Sequence, residues 1–165
     1  MKTVNIHATC IRLGRARGPF GAPAGAGSLL LGPSGSGKSD LALRLIERGA
    51  TLVADDRTDL TVVRGKLIAS APKRIAGFIE VRGLGIVELP YTEKVRVALV
   101  VDLRSRVARM PLHIRYRPPK PLPLAETARP PRIAINPFEA SAPAKIAAAA
   151  AAFADGLFRD NVKPD

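Results

Sequence analysis

The 165-residue sequence predicts an α/β fold with a mixed central sheet, organised around a strand, a glycine-rich loop and a helix. Three observations carry that expectation. An apolar run, Leu29-Leu30-Leu31, meets Gly32-Pro33-Ser34-Gly35-Ser36-Gly37-Lys38-Ser39, which fits G-x-x-x-x-G-K-[ST] at every fixed position. Two further apolar runs, Thr51 to Ala54 and Val95 to Leu103, have the near-continuous hydrophobicity of strands buried on both faces. Between and after them lie segments of helical period, so strands and helices alternate as an α/β fold requires.

The loop spells a P-loop, and its chemistry explains the spelling. Main-chain N–H groups can wrap a triphosphate only where no Cβ stands in the way, which calls for glycine at Gly32, Gly35 and Gly37. The loop, with Pro33, Ser34 and Ser36 between the glycines, opens a helix whose free N–H groups and positive dipole end face the phosphates. Lys38 adds a mobile cation for the β- and γ-phosphates, and Ser39 offers a hydroxyl to Mg²⁺. An ordinary glycine-rich turn before a helix would not need the Lys-Ser pair at this spacing.

The helix expected from Lys38 to Arg48 carries Leu41, Ala42, Leu45 and Ile46 as one stripe, with Gly49 as a natural stop. The strand after it delivers Asp55-Asp56 at its carboxyl end, where ligands of open α/β sheets bind. Two adjacent carboxylates beside a P-loop suit one metal-directed acid and one base for an attacking hydroxyl. The competing reading is a simple Asp turn into Arg57-Thr58.

Bulk composition narrows the function classes. The length suits one domain over residues 1–165, and 47% hydrophobic with 24% charged residues is ordinary for a globule rather than a disordered chain. Lys plus Arg number 26 against 14 Asp plus Glu, and the resulting +12 favours a polyanionic partner. Aromatics are only 4% with no Trp, which argues against a nucleic-acid stacking platform. One cysteine, Cys10, makes no internal disulfide, and with two histidines it builds no ordinary zinc site. The amino terminus lacks an apolar signal core, and the longest apolar run, Ile146 to Ala154, is too short to span a bilayer; no membrane association and a cytoplasmic location are expected.

Elsewhere, Val4 to Leu13 alternates as a strand containing His7, a residue more often structural than catalytic in that setting. Residues 14–27 read as a flexible Gly/Ala/Pro loop. Leu60 to Val63 and Lys66 to Ala69 flank Arg64-Gly65 as a hairpin. Ile79 to Val87 reads as one strand bearing Glu80 and Arg82, with Gly83 and Gly85 within it. Residues 104–131 form a basic, Pro-rich surface loop, Ile133 to Ile135 a last strand, and residues 141–158 a closing helix with Ser141 as N-cap and a stripe of Ile146, Ala149, Ala150, Phe153 and Leu157.

With these residues in view, the sequence resembles the carboxy-terminal catalytic domain of HPr kinase/phosphorylase. The block GPSGSGKSDLALRLIERGATLVADD, the segment IEVRGLGI (Ile79 to Ile86) and His7 opening a strand carry the resemblance. It implies the HPr kinase/PEP carboxykinase-like architecture and an ATP-dependent kinase for a serine of HPr, the phosphocarrier of the sugar phosphotransferase system that regulates carbohydrate metabolism. It implies Mg²⁺ with ATP as donor, and nucleotide binding by Gly32 to Ser39. Asp55 would be the base toward the serine, and the acid when inorganic phosphate cleaves phosphoserine. Asp56 and Glu80 would position metal or substrate hydroxyl, Ser39 would assist Mg²⁺, and His7 would orient the acids; Asp55 and Asp56 could exchange roles. The family's homo-oligomer, a hexamer, is a further expectation. The resemblance is to a short form without the family's amino-terminal domain. Ala8 follows His7 where the family usually has glycine, and the Arg/Gly-containing segment that supports the reverse reaction has no match in Pro131 to Lys145. The residues alone also admit a P-loop small-metabolite kinase, with Arg104 to Arg117 as its lid, or a nucleotide-gated sensor module.

Overall fold

The computed structural model describes residues 1–14 and 25–159, so most of the loop expected over 14–27 lies outside the described residues. Among them, strands β1 (Thr3–Arg12), β2 (Gly27–Leu31), β3 (Thr51–Ala54), β4 (Arg57–Val63) and β5 (Lys66–Ser70) precede a two-stranded hairpin, β6 (Phe78–Val81) and β7 (Gly85–Glu88). They are followed by β8 (Lys94–Leu103), the two-residue β9 (Ile114–Arg115) and β10 (Pro131–Ile135); helices α1 (Lys38–Glu47) and α2 (Ala142–Asp155) complete the fold.

The two ten-residue strands organise the mixed sheet because each is shared between two sets of partners. β1 pairs antiparallel with β4 over Thr3 to His7, then with β2 over Ala8 to Arg12 and with β3 from Cys10 onward. β8 pairs with β5 over Lys94 to Arg96, then runs parallel to β2 and to β10. One side therefore reads β3-β1-β2-β8-β10-β9, with the carboxyl ends of β2, β3, β8 and β10 opening on the same edge. Ligand sites of α/β sheets form at such an edge.

Side chains leave this sheet into two cores. Toward α1 and α2 lie Ile11, Leu30, Leu41, Leu45, Leu52, Leu99, Val101 and Ile146. On the other face lie Ala8, Cys10, Leu29, Val53, Leu60, Leu67, Val97 and Val100. Cys10 is fully buried there, and burial pushes its thiol above the ordinary range, so it acts as an apolar filler. The register shift between Gly27 and Ser28 against β8 moves Val97 and Leu99 to opposite cores, the re-aiming that a β-bulge produces.

Four expectations need correction. Ile79 to Val87 is a hairpin, not one strand: Gly83 (φ 87°) and Gly85 (φ 114°) turn the chain between β6 and β7. The basic loop after β8 is not wholly superficial, because its Tyr116, Leu122 and Leu124 are buried and close the second core. Ser141 makes no side-chain cap to α2. That helix stops at Asp155 with Gly156 in the left-handed region, which puts Leu157 outside the stripe and half exposed. The Arg64-Gly65 hairpin agrees with expectation; both residues have positive φ, 49° and 72°, as a twisted two-residue turn demands. No helix among the described residues is long and apolar enough to cross a membrane.

Asp102, at the carboxyl end of β8, points away from α1 and is taken up by Arg132 of β10 through bonds of 2.6 and 3.0 Å, with the Tyr116 ring 5.7 Å from the guanidinium. Asp102→Ala would leave that guanidinium without its carboxylate. It is expected to cost about 2 kcal/mol and lower the melting temperature by about 5 °C, as differential scanning fluorimetry would read.

Candidate active site

The loop between β2 and α1 is built by its glycines. Gly35 (φ 80°) and Gly37 (φ 94°) occupy left-handed backbone, and a Cβ on Gly32 would sit 2.4 Å from Ser36 Oγ. α1 begins with no side-chain cap, so the N–H groups of its first turn remain available at the loop mouth. Ser36 Oγ is buried, with no hydrogen-bond partner among the described residues. Lys38 donates to Gly32 O at 2.7 Å and Pro33 O at 3.0 Å, folding back on its own loop. Burial lowers its pKa, opposed by the charges of Asp56 and Asp55. A buried ammonium whose hydrogen bonds among the described residues go to loop carbonyls could take up an anion at the loop mouth.

The two aspartates, adjacent in sequence, have opposite environments. In β3 the register jumps so that Cys10 faces Ala54 while Ile11 faces Leu52. Val53 and Ala54 both enter the core remote from α1, and Asp55 is thereby turned back toward the helix. It is buried, and it accepts the Thr9 hydroxyl at 3.0 Å, the Ser39 hydroxyl at 2.7 Å and the Glu80 N–H at 3.0 Å. Its two oxygens are thus occupied by β1, α1 and β6, and it ties these elements together. Asp56 follows in the left-handed region (φ 66°), which directs its carboxylate outward. It is 65% exposed, and His7 Nε2 meets its Oδ1 at 2.8 Å.

These residues converge on a cleft of about 520 Å³, in the size range of ligand sites. Ser34, Gly35, Gly37, Lys38 and Ser39 line one wall, and Asp56, Glu80, Val81 and Arg82 another. Pro33 and Gly32 lie behind Lys38, which their carbonyls hold. Of the residues expected at the site, Ser34, Gly35, Gly37, Lys38, Ser39, Asp56 and Glu80 line this crevice, whereas Asp55 and His7 do not line it and reach it through Ser39 and Asp56. Thr9 was not among the expected residues: it also accepts the Asp56 N–H at 3.2 Å, so one hydroxyl anchors both acids. Only the alternation of β1 could have pointed to it. Thr9→Val is expected to cost ~1–3 kcal/mol by leaving that N–H and an Asp55 lone pair unsatisfied, measurable by urea denaturation.

The donor set can also be tested against Mg²⁺. Among the described residues no cluster of His, Cys, Asp or Glu forms a self-sufficient metal cage. Mg²⁺ bound beside nucleotide takes one or two protein oxygens and completes its shell from phosphates and water. The Ser39 hydroxyl and Glu80 at the cleft, with Asp55 behind Ser39, fit that requirement.

A mixed α/β sheet with a P-loop at the end of β2 and acids at the end of β3 defines a P-loop kinase fold. A profile of the HPr Serine kinase C-terminal domain matches residues 18–106, more than half of the sequence. The chain belongs to that family. HPr kinase/phosphorylase of Clostridium tetani is 54% identical over 66 residues, 40% of this chain and 22% of that protein. The protein of the same name from Malacoplasma penetrans is 51% identical over 63 residues, 38% of this chain and 21% of the relative. The chain thus matches about a fifth of the length of these relatives. The solved Hpr(Ser) kinase/phosphatase of Coxiella burnetii superposes with a TM-score of 0.67 at 25% identity, covering 87% of this chain and 91% of that one.

Proposed function

We infer that this chain is an ATP-dependent serine kinase acting on the phosphocarrier HPr. The observation that carries the reading is an exposed carboxylate, Asp56, oriented by His7 at the mouth of an intact phosphate loop. Family membership and the similarity to proteins named for HPr support the acceptor.

The geometry favours exchanging the roles that the resemblance first implied for the two aspartates. Asp55 is buried and satisfied by three donors, so its work is to hold Thr9, Ser39 and β6 in place. Asp56 lines the cleft and has an oxygen free of His7. Asp56 is the base: it takes the serine proton as the serine oxygen bonds to the γ-phosphorus, the bond from that phosphorus to the β–γ bridging oxygen breaks, and ADP leaves with the electron pair. Lys38 exchanges its loop carbonyls for phosphate oxygens and neutralises developing charge. Ser39 and Glu80 would hold Mg²⁺, which when bound screens the phosphates. With phosphoserine and inorganic phosphate, an oxygen of the phosphate bonds to the phosphoserine phosphorus as the bond from that phosphorus to the serine oxygen breaks; pyrophosphate leaves, and the proton of the attacking phosphate passes by way of Asp56 to the serine oxygen. The exposed Leu84 and Ile86 at the β6–β7 turn support self-association, for which light scattering is the direct assay. ATP as donor suits a cytoplasmic site.

Incubating the chain with Mg-ATP and HPr and locating phosphate by tandem mass spectrometry tests the proposal. Phosphoserine on HPr is expected; unmodified HPr beside a working control kinase contradicts it. ATP turnover stimulated by a small metabolite without any protein acceptor would favour the metabolite-kinase alternative instead.

A further inference from the structure

Phe138 has no part in the chemistry above, yet it lines the same cleft. It is 71% exposed, so its ring face is open to a ligand in the cleft. It stands against the phosphate loop: a Cβ built on Gly37 would lie 3.4 Å from its ring.

The segment bearing it is held on every side. Asn136 Oδ1 accepts the Phe138 N–H at 3.0 Å, and Asn136 Nδ2 donates to Ser105 O at 3.4 Å. Arg44 of α1, itself paired with Asp40 at 3.1 Å, donates to the carbonyls of Pro137 and Glu139. Lys145 of α2 pairs with Glu139. A rigid backbone presenting an exposed ring is preorganised for a flat ligand.

Position identifies the ligand. Along α1 and the residue before it, Gly37, Ser39, Asp40 and Leu43 line the cleft together with Glu80, Val81 and Arg82 of β6 and its turn, and of these Gly37 lies against Phe138 while Arg44, one turn on from Asp40, holds the Phe138 segment. The acids and Ser39 mark the end where the terminal phosphate reacts. A nucleotide seated in the loop must then project its nucleoside away from those carboxylates, and Phe138 is the one aromatic among the described residues lining the cleft.

We propose that the ring of Phe138 is the stacking platform for the base of the nucleoside triphosphate. The proposal rests on the nucleotide-binding reading of the loop and adds how the base is held. Stacking uses the π-face that every base has and is worth about tenfold or more in affinity per base.

Isothermal titration of the full chain with Mg-ATP and with inorganic tripolyphosphate plus Mg²⁺ separates base from phosphate. Phe138→Ala is expected to weaken ATP binding about tenfold while tripolyphosphate binds as before. Phe138→Trp should restore ATP affinity, and as the sequence has no other Trp, its fluorescence should respond to ATP and not to tripolyphosphate. Unchanged ATP affinity in Phe138→Ala, or equal loss of both ligands, would overturn the platform while leaving the phosphate loop intact. Wild-type protein that binds neither ligand would instead remove the nucleotide reading, and the platform with it.

Discussion

Asp56→Asn is expected to reduce phosphoryl transfer to HPr by about 10²- to 10⁴-fold, the contribution of a positioned general base, with ATP affinity within about twofold of wild type. Asparagine is the decisive replacement. Its side chain keeps the shape of aspartate, its carbonyl oxygen can still accept a hydrogen bond from His7 Nε2–H, and asparagine tolerates the left-handed backbone that Asp56 adopts at φ 66°. Only the capacity to accept the serine proton is lost. Quenched-flow transfer from radiolabelled ATP, paired with titration calorimetry, separates the two quantities. Equal loss of binding and transfer would mean that Asp56 serves the nucleotide rather than the acceptor.

Lys38→Ala has the second large effect, on the other half of the reaction. Removing a charge-assisted contact worth ~1.5–3 kcal/mol should weaken ATP about 10- to 100-fold, with transfer falling further because charge develops on the phosphates during reaction. The unliganded protein should lose no more than ~1 kcal/mol of stability. In that state Lys38 is a buried cation donating to two carbonyls of its own loop, and burial already depresses its pKa. On the proposed reading, phosphate oxygens replace those carbonyls and offset the burial of the charge. Calorimetry with ATP and thermal melts without it give both numbers; a large drop in melting temperature with unchanged ATP affinity would assign Lys38 to the scaffold.

Much of the centre of this fold could be read from residues. The P-loop with its strand and helix, the short run into Asp55-Asp56, and the long apolar run of β8 are local, periodic and closed by glycine or acid, and each lies where the pattern puts it. The contrast between a buried, fully bonded Asp55 and an exposed Asp56 was not legible. It depends on a register jump between β1 and β3, which pairs Cys10 with Ala54 and Ile11 with Leu52 far apart in sequence, and on one residue's backbone sign. The β6–β7 hairpin is hidden in the sequence because its two halves continue one alternation, so Gly83 and Gly85 read as part of a single strand rather than as a turn. Tyr116, Leu122 and Leu124 have no period among the prolines and arginines around them, so nothing local revealed that they seal a core. Phe138 had a faint signal: it follows Asn136-Pro137, a turn at the carboxyl end of a strand parallel to β8, in the class of position where α/β folds place binding loops.

The most direct test is a crystal structure with Mg²⁺ and a non-hydrolysable ATP analogue. The account predicts the β- and γ-phosphates enclosed by Gly32 to Ser39, Lys38 released from the Gly32 and Pro33 carbonyls onto them, and the free oxygen of Asp56 facing the γ-phosphorus across a gap that one hydroxyl fills. Phosphates bound outside the loop, or an Asp56 carboxylate turned to solvent with Asp55 at the γ-phosphate in its place, would contradict it.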